Sequence, residues 1–388
     1  MNETEMRKAY ITHHNIISSL GFDSETNFKN LLSNRSGICR IEIDNGKFFY
    51  SSIVDKEKVD IEFSKIGDIN GYTALEKMMI LSVEKILVAS KVQISEKTGL
   101  IIATTKGNVD TLSPESKFYK DKKRAYLYRL AEQVQDFFNF KNEAIVLSNA
   151  CVSGILSISI ADKLIKSQMY DDIIIVSGDL VTDFILSGFS SFQALSDQPC
   201  KPFSKNRAGI NIGEAIASVL VTSSVSDKSD GNIQIIGNGS SNDANHISGP
   251  SRTGEGLYLS VKSALKEAQI SEDEIDYISA HGTATPYNDE MESIAFGRLK
   301  MLDIPLNSLK GYYGHTLGAS GMLEAIIGME SLHQNTLIAS LGFDELGVSE
   351  PLNIIRDNRH KQLNIFLKTA SGFGGCNSAV IFKKVSSN

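Results

Sequence analysis

A chain of 388 residues, 41% of them hydrophobic, is long enough for two or three domain-sized units and can bury one large core or two of medium size. Its 39 basic and 46 acidic side chains leave a net charge of −7, which argues against the basic field needed to neutralise nucleic-acid phosphates. The four cysteines, Cys39, Cys151, Cys200 and Cys376, are widely spaced and form no C-x-x-C pair, so a reducing compartment is expected rather than a disulfide framework or a zinc site.

At the N-terminus, MNETEMRKAYITHHNIISSLGF is charged and then alternates apolar with polar residues. It lacks the apolar stretch of a secretory signal, and no window reaches the length of a membrane span, so a cytoplasmic protein is expected. His13 and His14 fall on the alternating stretch and read as structural. Short apolar runs such as AIVL, DDIIIVSG and ASVLVTSS read as strands buried on both faces, which requires helices above and below the sheet. The fold class is therefore α/β.

One segment order occurs twice. LSVEKILVASKVQISEKTGLIIATT, from Leu81 to Thr105, resembles LSVKSALKEAQISEDEIDYISAHGT, from Leu259 to Thr283: an amphipathic helix, a Q-I-S turn and a buried strand. CVSGILSISIADKLI from Cys151 aligns with GASGMLEAIIGMESL from Gly318, sharing Ser153-Gly154 and Ser320-Gly321. A strand ending in Ser-Gly follows each, at Ser177-Gly178 and Ser371-Gly372. These matches predict two similar halves, 1–225 and 226–388, each contributing a sheet, with the polar stretch TSSVSDKSDGN (222–232) as the joint.

SNACVSG (148–154) sets Cys151 between the strand EAIVLSN and the helix SGILSISIADKLIKS. A sulfur at a helix N-terminus meets unpaired amides and the positive end of the macrodipole, which favour a thiolate. A buried cysteine alone is more often a packing residue. Of the seven histidines, however, two follow buried strands on glycine-containing loops: His281 in SAHGTATPYND, and His315 in LKGYYGHTLGASG, five residues after Lys310. Active sites of parallel sheets collect at the carboxyl ends of strands, and all four candidates follow a strand or open a helix.

At these residues the chain resembles the β-ketoacyl-acyl carrier protein synthases, the condensing enzymes of the thiolase superfamily. The resemblance runs over nearly the whole chain, through ITHHNIISSLGFDSETNFKNLLSNRSGI, KPFSKNRAGINIGEAIASVLV, ANHISGPSRTGEGL, SAHGTATPYND, KGYYGHTLGASGMLEA and SGFGGCNSAVIF. It implies a thiolase-like duplicated fold, two mixed sheets with layered helices (αβαβα). It also implies decarboxylative Claisen condensation of a Cys-bound acyl chain with malonyl-acyl carrier protein, in fatty acid, polyketide or polyene elongation. By this resemblance Cys151 takes up the acyl chain and His281 and His315 bind the malonyl thioester. Lys310 orders the second histidine and would help fix its tautomer, while Glu324 is a buried structural carboxylate. Backbone amides of Cys151 and Phe373 would form an oxyanion hole, with Phe373 also a gatekeeper. Thr283, Thr285, Gly372 and Gly374 would meet the substrate, although the threonines suit turn caps as well.

No cofactor or metal is implied; the substrates ride on the phosphopantetheine of an acyl carrier protein. That carrier and a second subunit, in a homodimer or a heterodimer with a similar chain, are the implied partners. Val152 stands where many relatives have a second serine, and residues 113–138 diverge. This stretch carries Lys117, Lys120, Lys122, Lys123, Arg124 and Arg129, either a solvated basic face or a dock for an acidic carrier. Three other readings stay open: a partner subunit that shapes chain length, a thiolase-type acyl-CoA transferase, and a cysteine hydrolase. Cys376, near the thiolase's second cysteine, reads as a packing residue.

Overall fold

A computed structural model describes residues 7–42, 48–224, 232–243 and 249–385. Its apolar runs form β1 (Ala9–Ile17), β2 (Thr98–Ala103), β3 (Ile145–Leu147), β4 (Asp172–Asp179) and β5 (Ala215–Thr222) in the first half. The second half supplies β6 (Ile233–Asn242), β7 (Tyr277–Ser279), β8 (Leu306–Asn307), β9 (Ile365–Gly372) and β10 (Cys376–Lys384). All ten share one mixed sheet, in the order β8-β7-β9-β10-β6-β1-β5-β4-β2-β3.

Read inward from either edge, each half has the order third, second, fourth, fifth, first. The pairing senses repeat too: parallel among the second, third and fourth strands, antiparallel from fourth to fifth and from fifth to first. The strands matched by the sequence repeat, β2 with β7 and β4 with β9, occupy equivalent places. The two expected sheets are the halves of one hydrogen-bonded sheet, joined antiparallel at Ala9↔Ile235, Tyr10↔Gln234 and Ile11↔Ile233. Each first strand would otherwise present an open edge of unpaired amides, so the two edges close on each other. Most of the expected joint, residues 225–231, lies outside the described residues.

The helices that cover this sheet are α1 (Ala74–Ser90), α2 (Leu127–Phe138), α3 (Ser153–Lys166), α4 (Asp183–Ser191), α5 (Glu255–Ala268), α6 (Pro286–Arg298) and α7 (Ser320–Gln334). Side chains of a strand alternate between faces, and β4 uses both. Ile174 and Val176 pack outward with Met79 and Val83 of α1 and Leu130 of α2. Ile173 and Ile175 pack inward with Ile155 and Ile158 of α3 and Met322 and Ile326 of α7. On the other outer face Leu257 and Val261 of α5 and Phe296 of α6 meet Ile278, Leu367 and Ile381. Helices thus lie outside each half and between the halves, the layering the resemblance implied. Among the described residues no helix is long and apolar enough to cross a membrane.

The repeated Ser-Gly pair acquires a packing role in the central layer. A Cβ on Gly154 of α3 would stand 2.6 Å from the Gly318 carbonyl oxygen, and one on Gly321 of α7 would stand 2.9 Å from Ile155 Cβ. Glycine at both places lets the starts of the two central helices approach closely. Replacing Gly154 with valine is expected to lower unfolding free energy by about 1–3 kcal/mol in denaturant titration. Gly188→Ala on α4, where an added methyl meets open space, should change it by less than about 1 kcal/mol.

Candidate functional site

Between β3 and α3 the chain turns tightly, with Ala150 at φ 45°. Ser153 Oγ donates to the Ala150 carbonyl at 2.6 Å and accepts the Asn149 N–H at 2.8 Å, which locks the turn bearing Cys151. His281 leaves β7 on a loop held from below by α6. The Gly282 N–H bonds Glu292 Oε1 at 2.9 Å and the Thr283 N–H bonds Asp289 Oδ1 at 2.8 Å. His315 is held by the INIG stretch (210–213), its N–H on the Asn211 carbonyl at 2.7 Å and its carbonyl on the Gly213 N–H at 3.0 Å.

These three turns converge. Cys151 Sγ and one ring nitrogen from each of His281 and His315 lie within 4.8 Å of one another. The rings stand edge to face at 86° with centroids 5.2 Å apart. Cys151 is 8% exposed and each histidine 2%, yet all three line a cavity of about 460 Å³. Thr283, Thr285, Gly372, Phe373 and Gly374 line it as well. Thr285 Oγ1 also caps α6, accepting the Asn288 N–H at 3.4 Å, and lies 2.9 Å from Thr283 Oγ1, so Thr285 caps the helix from the cavity wall.

Burial governs the charge states. It pushes the Cys151 thiol up to about 12, with Cys376 adding to the effect, against the opposing pull of Lys310 and the Phe373 N–H. The standing thiolate expected at a helix N-terminus is therefore not met, because loss of water outweighs the pull of Lys310 and of the Phe373 N–H. Burial, then the charge of Lys310, lowers His315 to about 3, and His281 falls well below its ordinary value through burial, Lys310, His315 and Lys368. The resting site is a neutral thiol between two neutral imidazoles.

The tautomer of His315 is set by the backbone. Nδ1 accepts the Leu317 N–H at 3.0 Å, so the neutral ring carries its hydrogen on Nε2 as a donor. Lys310 was expected to fix it, but an ammonium can only donate, and its Nζ bonds the His281 carbonyl at 2.5 Å and Glu324 Oε1 at 2.6 Å. Nδ1 of His281 has no hydrogen-bond partner among the described residues. Ser320 Oγ also bonds Glu324 Oε1 at 3.0 Å, and Lys368 Nζ lies 2.7 Å from Oε2. Burial favours a neutral Glu324, but Lys310 and Lys368 together hold its carboxyl below the ordinary value.

Sequence reasoning missed four residues around this centre. Lys368 was legible only as a charge inside the buried run IFLKTAS. Phe189 of α4 and Phe192, which caps the end of that helix, bracket Phe373, one stacked at 5.6 Å and 25°, the other at 5.3 Å and 65°; their spacing of three along the chain was the available signal. Asp179, at the end of β4, accepts Thr104 Oγ1 at 2.8 Å and the N–H groups of Thr105 and Gly318 at 2.9 and 2.8 Å. Cys376 Sγ donates to the Phe373 carbonyl at 3.4 Å, and a Cβ on Gly372 would meet both Cys376 Sγ at 2.9 Å and Cys151 N at 3.1 Å. Arg124 leaves the basic stretch, since its buried guanidinium pairs with Glu76 at 2.5 Å and bonds the Gly71 carbonyl at 3.0 Å.

Among the described residues two side-chain groups have donors close enough to hold a metal ion: Cys151 with His281 and His315, and His14 with Glu330 and His333. The first offers the sulfur and imidazole donors that suit a zinc-like ion.

A model of the β-ketoacyl synthase N-terminal domain matches residues 10–226, and one of the C-terminal domain matches residues 233–344. The 3-oxoacyl-[acyl-carrier-protein] synthase 2 of Vibrio cholerae is 27% identical, covering 98% of this chain and 99% of that protein. Among solved structures, a ketosynthase, ApeO, in complex with its chain length factor ApeC from Xenorhabdus doucetiae superposes with a TM-score of 0.86 at 24% identity, covering 99% of this chain and 100% of that one. The ishigamide ketosynthase/chain length factor gives a TM-score of 0.86 at 22% identity, covering 98% and 100%.

With the thiol at about 12, alkylation of Cys151 by iodoacetamide, followed by peptide mass spectrometry, should accelerate about tenfold per pH unit from about pH 7 to 10. A plateau near pH 8 would mean a resting thiolate. The folded-state value of His315 lies at about 3 against 6.5 for the free group. Stability from this residue is therefore complete above 6.5 and falls as pH drops from 6.5 toward 3, where the unfolded chain binds the extra proton. Denaturation midpoints measured across that window should decline.

Proposed function

The chain belongs to the β-ketoacyl synthase family, and from that premise we propose that Cys151 carries the acyl chain while His281 and His315 receive malonyl-acyl carrier protein for decarboxylative condensation. The observation that carries the reading is the meeting of one sulfur and two imidazole nitrogens within 4.8 Å at the wall of an open cavity.

In the first half-reaction the sulfur of Cys151 attacks the thioester carbonyl of an acyl carrier. The new C–S bond forms as the old one breaks, and the thiol proton ends on the departing pantetheine sulfur. The tetrahedral oxygen is received by the backbone N–H groups of Cys151 and Phe373. Because the resting thiol is neutral, charge develops only in passing, at the start of α3 where amide N–H groups favour it.

In the second half-reaction the malonyl thioester oxygen accepts hydrogen bonds from Nε2–H of His315 and from a ring N–H of His281. The carboxylate leaves as carbon dioxide, and its bonding electrons form the enolate that those donors stabilise. The enolate carbon attacks the acyl-Cys151 carbonyl, the C–S bond breaks, and the sulfur takes up a proton. Both imidazoles are held neutral, so each donates from the one nitrogen that carries hydrogen, and each donor is worth on the order of 100-fold in rate.

Thr283, Thr285, Gly372 and Gly374 line the route for the pantetheine arm, and Phe373, packed between Phe189 and Phe192, gates the acyl side. No cofactor takes part in either half-reaction, and a cytoplasmic setting suits the free thiol. The halves 1–225 and 226–388 contribute the nucleophile and the two histidines respectively. The partners are an acidic acyl carrier protein and a second, similar subunit, in a homodimer or a ketosynthase and chain-length-factor pair.

Incubation with acyl and malonyl carrier proteins, with and without a partner subunit, should yield a β-ketoacyl product two carbons longer. Free acid alone would point to a hydrolase. Cys151→Ala should abolish the acyl adduct seen by intact mass. His281→Ala and His315→Ala should keep the adduct and lose malonyl decarboxylation by on the order of 100-fold each. Loss of the adduct in either histidine variant, or decarboxylation untouched, would overturn these roles.

A further inference from the structure

We propose that Lys368 is a positioning residue for decarboxylation, holding the backbone that presents His281 to the malonyl group. The inference rests on the assignment of His281 just made.

Lys368 stands on β9 in register with Ser279, the last residue of β7. Its side chain is 0% exposed. Nζ donates to the carbonyls of Ser279 and Ala280, both at 3.1 Å, and of Thr369 at 2.7 Å, and lies 2.7 Å from Glu324 Oε2. An ammonium has three hydrogens, which the three carbonyls take, with the carboxylate oxygen beside them as an ion pair. Lys310 takes the next carbonyl along, that of His281, and the other oxygen of Glu324. Three successive carbonyls, 279, 280 and 281, are thereby clamped by two ammonium groups that one carboxylate bridges.

The clamp sits where it is needed. β7 is only three residues long, and beyond Ser279 the ladder no longer orients the chain. On the other edge the Ala280 N–H bonds the Asn307 carbonyl at 2.9 Å. Buried carbonyls at a strand end need donors. Lys368 supplies them, and with them the direction in which the chain leaves the sheet toward His281. A neutral side chain of the same length would remove the donor these three carbonyls share and the cation beside Glu324 Oε2. The residues would then shift to find partners, and a displacement of about 1 Å at His281 is enough to cost on the order of 100-fold in rate.

The acyl-transfer half-reaction gives the discriminating readout, because it uses Cys151 and the oxyanion amides and not His281. Lys368→Met, near-isosteric and neutral, is compared with the wild type in two assays: Cys151 acylation by intact mass, and release of labelled carbon dioxide from malonyl carrier protein. The expected result is acylation within about threefold of wild type and decarboxylation lowered about 10- to 100-fold. A variant in which both rates fall in step with the folded fraction, or in which decarboxylation is unchanged, overturns the proposal. If Lys368→Met does not fold, Lys368→Arg, which keeps the charge and alters the donor geometry, is held to the same split; failure of both to fold marks a purely structural lysine and also overturns it. A wild-type protein that neither takes up acyl groups nor releases carbon dioxide would instead sink the underlying assignment of Cys151 and His281.

Discussion

A single carboxylate out of water, Glu324, with an ammonium group on each oxygen, is the constraint around which the second half of the site is arranged. Charges in a low-dielectric interior are tolerated only when partners are close and the remaining hydrogen-bonding capacity is used. Here Glu324 comes from α7, Lys310 from the segment after β8, and Lys368 from β9, and their leftover hydrogens go to backbone carbonyls of residues 279 to 281 and 369. Removing one member of such a buried set typically costs about 3–5 kcal/mol. The distances among four separate elements are thus coupled, and the loop of His281 inherits its position from them.

The nucleophile belongs to the other half, so its distance to the histidines depends on how the halves pack. Two features set this. The glycines of the duplicated Ser-Gly pair let α3 and α7 approach at their starts, and Asp179 of the first half receives the Gly318 N–H of the second. The duplication is also where the halves diverge in chemistry. Cys151 in one repeat aligns with Gly318 in the other, and a Cβ at Gly318 would come 2.6 Å from Asp179 Oδ2. One copy of the position bears the sulfur, and the other must stay bare for the halves to meet.

The electrostatic character of the centre follows from the same burial. Cys151, His281 and His315 are all driven toward their neutral forms, while Lys310, Glu324 and Lys368 stand behind two of them as a charged set. Neutral side chains at the reacting centre suit an apolar acyl chain. Fixed N–H donors at its edge then act selectively on the oxyanion and enolate charge that appears during reaction, which is the condition for lowering a barrier and not merely tightening binding.

The α/β class, the duplicated order of elements, and Cys151, His281, His315 and Lys310 as a group of candidates were legible in the sequence, while Glu324 entered through the family resemblance. Strand-end loops, helix starts and repeated Ser-Gly pairs are local patterns that the chain writes contiguously. The tertiary structure alone decided what depends on contacts between distant segments: the joining of both halves into one sheet through β1 and β6, the bracketing of Phe373 by Phe189 and Phe192, and the pairing of Lys368 with Glu324. It also reversed two expectations, the ionised Cys151 and the tautomer of His315 set by Lys310. A local pattern can reveal a helix dipole beside a sulfur, but the competing loss of solvent is produced by every chain segment that closes over it. The partner of an imidazole nitrogen is likewise settled by whichever donor the folded backbone brings within reach, here the N–H of Leu317.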